Sequence, residues 1–138
     1  MSMRKSLAVL LAAMAASLPA VAGDLTVTIT DVKEASGKLM VAVFREEGWR
    51  KDPVATKSVA AESPQTTTVI EGLAPGRYGI TLFQDLDMNG ELDRNRFGIP
   101  KEPYGFSNDA PVRFGPPSFE DAGFDLTEDG ATQTITLR

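Results

Sequence analysis

Neither cysteine nor histidine occurs anywhere in the 138 residues, and each absence removes a class of chemistry. Without cysteine there is no disulfide staple, no thiol nucleophile and no lipid-anchored export signal. Without histidine the usual general base and most zinc or copper ligand sets are gone. Any catalysis would fall to carboxylates, Ser, Lys or Tyr. Positive charge is also scarce, 14 basic against 19 acidic residues, a balance unsuited to a nucleic-acid partner. Beyond the N-terminus no apolar run is long enough to span a membrane, and no internal repeat or low-complexity tract occurs.

The one apolar run that is present, Ser6 to Ala16, follows Arg4 and Lys5 and is followed by Ala20-Val21-Ala22. A charged start, a short apolar stretch and a small-x-small site, in that order, predict a cleavable signal peptide over residues 1–22. Two of the 14 basic residues, Arg4 and Lys5, lie in that segment and no acid does, which leaves 12 basic against 19 acidic residues and a net charge of −7 for residues 23–138. The expectation is a periplasmic or secreted domain with no membrane span in its mature form. A chain of that length buries about two thirds of its unfolded surface, so its core must hold it without disulfides.

Strand signals dominate residues 23–138. Leu25, Val27 and Ile29 alternate with threonines, a period of two. Lys38 to Phe44 is a nearly continuous apolar run after the Glu34-Ala35-Ser36-Gly37 turn, as a central strand would be. Val54 to Ala60 reads as a weak edge strand, and Thr66 to Ile70 as another strand. In Leu73-Ala74-Pro75-Gly76-Arg77-Tyr78, Pro75 and Gly76 suit a type II turn leading into the strand Tyr78 to Phe83. Trp49 is expected to form a lid over one end of the core.

Residues 94–118 show no periodicity and are rich in Gly, Pro and aromatics, which predicts an ordered cap in place of a mobile loop. Ser118 with Asp121 resembles a capping box for one short helix over Phe119 to Ala122. Phe124, Leu126 and the segment from Thr132 to Leu137 supply two further strands around the Asp129-Gly130 turn. Together these signals predict an all-β chain, an antiparallel β-sandwich of about seven strands with a long Gly/Pro/aromatic loop and one short helix.

The most specific local pattern is Asp85-Leu86-Asp87-Met88-Asn89-Gly90-Glu91-Leu92-Asp93. Oxygen-bearing side chains on alternate residues, followed by the glycine that turns them inward, are what a loop needs to wrap a hard cation such as calcium. In the twelve-position frame Asp85, Asp87 and Asn89 occupy the first, third and fifth places. Gly90 takes the sixth, the Glu91 carbonyl the seventh and Asp93 the ninth. The twelfth place, normally a bidentate Glu, holds Arg96, so any calcium bound should be weakly held unless Glu102, Glu120 or Asp121 brings the missing carboxylate. The competing reading is a metal-free acidic turn, since Asp, Asn and Gly are common in tight turns.

The segment Phe83 to Asp93, with Phe97-Gly98-Ile99-Pro100-Lys101-Glu102-Pro103-Tyr104-Gly105-Phe106-Ser107-Asn108 and Phe114-Gly115-Pro116-Pro117-Ser118-Phe119-Glu120-Asp121-Ala122, resembles the exported bacterial domain-of-unknown-function family 2141. The resemblance implies export and a small β domain but supplies no activity. It also implies a histidine where Gln84 stands in many members. The Leu73 to Tyr78 turn is similar, more loosely, to that of transthyretin-like and immunoglobulin-like sandwich modules. The functional expectation is a calcium-stabilised binding or structural module of the cell envelope. Asp85, Asp87, Asn89, Glu91 and Asp93 would be its metal residues, with Tyr104, Phe106, Phe114 and Phe119 as candidates to line a groove for an envelope protein or glycan. The alternative is a carboxylate-based hydrolase of envelope glycans, pairing Glu102 with Asp93 or Glu120.

Overall fold

The computed structural model describes residues 21–138; residues 1–20 of the expected export signal lie outside them. The described residues form eight strands: β1 (Gly23–Thr30), β2 (Lys38–Phe44), β3 (Ala55–Ala60), β4 (Thr66–Leu73), β5 (Gly76–Asp85), β6 (Tyr104–Phe106), β7 (Phe124–Leu126) and β8 (Ala131–Thr136), with one short α-helix, α1 (Phe119–Ala122). They make two sheets, one of order β4-β1-β8 and one of order β3-β2-β5-β6, with β7 also pairing with β5. Among the described residues no helix is long and apolar enough to cross a membrane.

The alternation in β1 decides which face is buried. Leu25, Val27 and Ile29 have no exposed surface, while Thr26, Thr28 and Thr30 are half-exposed on the other side. The second sheet answers with Leu39, Val41 and Val43 from β2 and Tyr78, Ile80 and Leu82 from β5, and the two inner faces form one core. Each such aliphatic side chain removed from water stabilises the fold by roughly 1.5 to 3 kcal/mol. The sandwich is therefore the one expected, with one pair differing in sense: β8 runs parallel to β1 from Leu25↔Ala131 to Thr30↔Thr136, whereas β1 and β4 are antiparallel.

Two local features anchor the ends of β5. At its start the Tyr78 hydroxyl donates back to the Ala74 carbonyl and accepts from Arg45 Nη2 at 3.0 Å, a tyrosine corner of the kind found in immunoglobulin-like sandwiches. With the corner closed in this way Gly76 is extended, at φ 157°, and begins the strand instead of completing a type II turn. Trp49 covers the outer face next to it, edge-on to Phe44 and Phe119, with its indole N–H donating to the Pro117 carbonyl at 3.0 Å. A Cβ at Gly79 would lie 2.5 Å from the indole ring, so only glycine lets this lid sit directly on the sheet.

The region from 94 to 118 is tied to the sandwich in steps. Arg94 and Pro100 form an antiparallel bridge, β6 pairs with β5 through Thr81↔Phe106 and Phe83↔Tyr104, and Ser107 Oγ accepts from the Ile80 N–H at 2.9 Å. The capping pattern before α1 forms as read: Ser118 Oγ accepts from the Asp121 N–H at 3.2 Å.

Candidate metal centre

β5 delivers the chain straight into the acidic loop, which fixes its first carboxylate in the fold. Asp85 is the last residue of β5 and is only 3 % exposed. Its Oδ2 accepts the Gly90 N–H at 2.8 Å, a bond across the turn that needs Gly90 at φ 80°, a backbone region open to glycine. Its Oδ1 is buried and has no hydrogen-bond partner among the described residues. An ionised carboxylate oxygen held out of water without a partner is costly, and a cation is the partner that suits it.

The loop is closed from the far side by Glu102, 6 % exposed. Its Oε2 accepts the Leu86 N–H at 2.7 Å and its Oε1 the Asp93 N–H at 2.9 Å. One side chain thus clamps both ends of the loop, and each of its oxygens keeps a further lone pair. One carboxylate oxygen from each of Asp85, Asp87 and Glu102 lies within 4.8 Å of the others. Oxygens on opposite sides of a calcium ion, each at about 2.3 to 2.6 Å, are separated by a similar span, so this acidic group could hold a single metal ion.

The other polar residues of the loop are joined by hydrogen bonds across the turn. Asp87 Oδ1 accepts the Asn89 N–H at 3.3 Å and Asn89 Oδ1 accepts the Glu91 N–H at 3.0 Å. The Asn89 side-chain amide donates to Asp93 Oδ1 at 2.7 Å. A hydrogen bond to Asp93 is the main influence holding the exposed Asp87 carboxyl up at about 6 from its ordinary 3.8, because the two acids then share one proton. Asp93 is held low by the same bond, by the Asn89 amide and by the charge of Lys101.

Asp85 and Asp87 of the predicted set are brought together, and Glu102 joins them from among the three acids considered for the missing carboxylate. The carboxylate of Asp93 lies outside that three-carboxylate group, while Asn89, expected to coordinate through its side-chain oxygen, and Glu91, through its carbonyl, belong to the same turn. Arg96 is exposed and lies over the Phe97 ring, 5.0 Å from its centroid. Glu120 and Asp121 sit on α1. Gln84, in the position where the family resemblance implies histidine, is buried and donates at 2.8 Å to the Glu34 and Ser36 carbonyls; it anchors the neighbouring turn instead of facing the acids. Its place between Phe83 and Asp85 in the sequence offers no signal of that role. Of the four aromatics named as groove candidates, Tyr104, Phe106 and Phe114 line a common cavity, whereas Phe119 is buried against Trp49 at 5.7 Å between ring centroids.

Fold and loop together define a small all-β sandwich with an acidic, carboxylate-clamped turn at the end of its central strand. The chain belongs to the bacterial family described as uncharacterized protein conserved in bacteria (DUF2141), whose model matches residues 27–135. No curated protein and no solved structure matches the chain.

Proposed function

We propose that this protein is a calcium-stabilised binding or structural module of the bacterial cell envelope. The observation that carries the calcium part is the buried, unpartnered Oδ1 of Asp85 beside Asp87 and Glu102. An oxygen-only donor set in a turn is the chemistry of a hard cation. The envelope part rests on the export signal expected over residues 1–22. A hydrolase reading would pair Glu102 with Asp93 or Glu120; Glu102 instead holds the backbone N–H groups of Leu86 and Asp93 through its two oxygens, a clamp role that supports the binding or structural reading.

Affinity should be that of low-affinity extracellular sites, Kd of about 0.1 to 1 mM, because Glu102 brings the third carboxylate with both of its oxygens already accepting backbone N–H groups, which leaves it a poorer ligand than a free bidentate Glu. At about 1 mM free calcium, mass action then adds roughly 0.4 to 1.4 kcal/mol to stability. Thermal melts in calcium and in chelator test the reading. Wild type should melt lower in chelator, and Asp85→Ala and Asp87→Ala should not respond. Indifference of wild type to several times that calcium concentration would make the loop an acidic turn.

A further inference from the structure

The outer face of the β3-β2-β5-β6 sheet, opposite the core, is only partly covered. Phe83 and Tyr104 are cross-strand neighbours there, as are Thr81 and Phe106. The 94–100 hairpin rises on one side and the 112–116 loop on the other, enclosing a concave space of about 620 Å³, within the range of small-molecule clefts. Its rim is strongly apolar: Phe97 is 73 %, Ile99 58 % and Phe114 fully exposed. Four of the seven large hydrophobic side chains that are exposed among the described residues, these three and Val112, line this one space.

The charges around it are equally selective. The lining contains Arg50 and Arg94 and not one carboxylate, although the chain as a whole has a net charge of −5. Neither guanidinium forms an ion pair among the described residues, where the ion pair found is Arg77 with Asp125. Arg94 donates one bond to the Gly98 carbonyl at 3.0 Å, and a guanidinium has further donors to offer. An apolar trough with exposed aromatics at its lips and two unpaired arginines, in an otherwise acidic protein, is complementary to a ligand with an apolar chain and an anionic head.

We propose that this groove binds a single-chain anionic amphiphile, with its hydrocarbon chain along Phe83, Tyr104 and Phe106, its carboxylate, phosphate or sulfonate head at Arg50, and Arg94 adding positive charge to the same lining. The inference rests on the binding half of the function proposed above and is independent of calcium. Arg50 supplies charge-assisted hydrogen bonds to the head, and the rim aromatics Phe97 and Phe114 close over the chain.

Dodecanoate and dodecyltrimethylammonium share a chain and differ in head charge, so titrating each, below its micelle concentration, into the intact protein tests the proposal. The protein's overall charge favours the cation, so a preference for the anion must come from the groove. Dodecanoate should bind at least about tenfold tighter, and the double variant Arg50→Gln/Arg94→Gln should lose roughly tenfold or more for dodecanoate alone. Arg50 makes no side-chain hydrogen bond among the described residues, so Arg50→Gln by itself should weaken dodecanoate without moving Tm, and it decides the matter if the double variant is unstable. Equal affinity for the two heads would show a binding module without anion recognition and overturn the proposal. Binding to neither would overturn the groove as a ligand site while leaving the calcium melts to stand or fall separately. Binding to phosphatidylglycerol vesicles but not to monomeric dodecanoate would make this face a membrane-docking surface instead.

Discussion

The acidic loop and the aromatic groove are neighbours along the chain and opposites in construction. In the loop the charged groups are buried and the backbone is folded around them: Asp85 and Glu102 hold the N–H groups of Leu86, Gly90 and Asp93. In the groove the apolar groups are exposed and the fold underneath does not depend on them. The hairpin between Arg94 and Pro100 belongs to both, with its base on Glu102 through Asp93 and its tip carrying Phe97 and Ile99 to the groove rim. Polar residues thus perform the structural work and apolar residues are left free, the reverse of the usual division. Exposed apolar patches of this kind are characteristic of interaction surfaces, which is the ground of the groove proposal.

The contrast breaks most visibly at Glu102. Glu102→Ala removes the acceptor of two backbone N–H groups in a buried site and should cost about 3 kcal/mol in chelator and, with a carboxylate of the metal group gone, a further roughly 0.4 to 1.4 kcal/mol in about 1 mM calcium, measured by denaturant unfolding. A loss under about 1 kcal/mol would mean that water replaces the clamp and that the loop is not built around this residue.

Asp85→Asn sharpens the comparison because it keeps the shape and an acceptor for Gly90 while removing the buried charge. In chelator it should be no less stable than wild type. In about 1 mM calcium it should lack the roughly 0.4 to 1.4 kcal/mol that the ion contributes. Equal calcium responses in the two proteins would detach the orphaned Oδ1 from metal binding.

A smaller effect follows from Asp87. Its folded carboxyl titrates at about 6, above its ordinary 3.8, so between those values the folded state holds the proton more tightly than the unfolded chain. In chelator, stability should therefore rise as pH falls from about 6 towards 4, before the lowered Asp93 begins to act with the opposite sign below its own ordinary value. In calcium the proton competes with the ion, and the difference between calcium and chelator melts should shrink over the same range. Melts at several pH values check both slopes; a calcium increment independent of pH would remove Asp87 from the site.

The smallest effect is expected at the groove. Phe97→Ser should change stability by less than about 0.5 kcal/mol, since its ring is already largely in water. A larger loss would show that the rim aromatics are structural cover and that the two regions are built alike.

What the chain discloses without its structure follows the same division. The alternation of Leu25, Val27 and Ile29 reports a strand because burial repeats every second residue, and Asp85 to Asp93 reports a loop because ligand spacing is local. Ser118 with Asp121 is local as well. β6 is not legible in the sequence because three residues around Gly105 make too short a run for any periodicity. The groove is illegible for a different reason: its walls come from β5, β6, a hairpin and a distant loop, and its selectivity lies in which charges are absent from that gathering. The sequence does not distinguish Glu102 from Glu120 or Asp121, and only the path of the chain after the hairpin brings it back to Asp85.

The parallel pairing of the first and last strands has a consequence of another kind. Thr30 and Thr136, 106 positions apart, share a hydrogen bond, and β1 sits between β4 and β8. Synthesis makes β1 long before β8, so the three-stranded sheet stays open on one side until β8 is available. Contacts that distant make closure slow relative to local folding. The six-residue strand β8 is consequently the latch of this sheet, set only after the local turns and hairpins have formed.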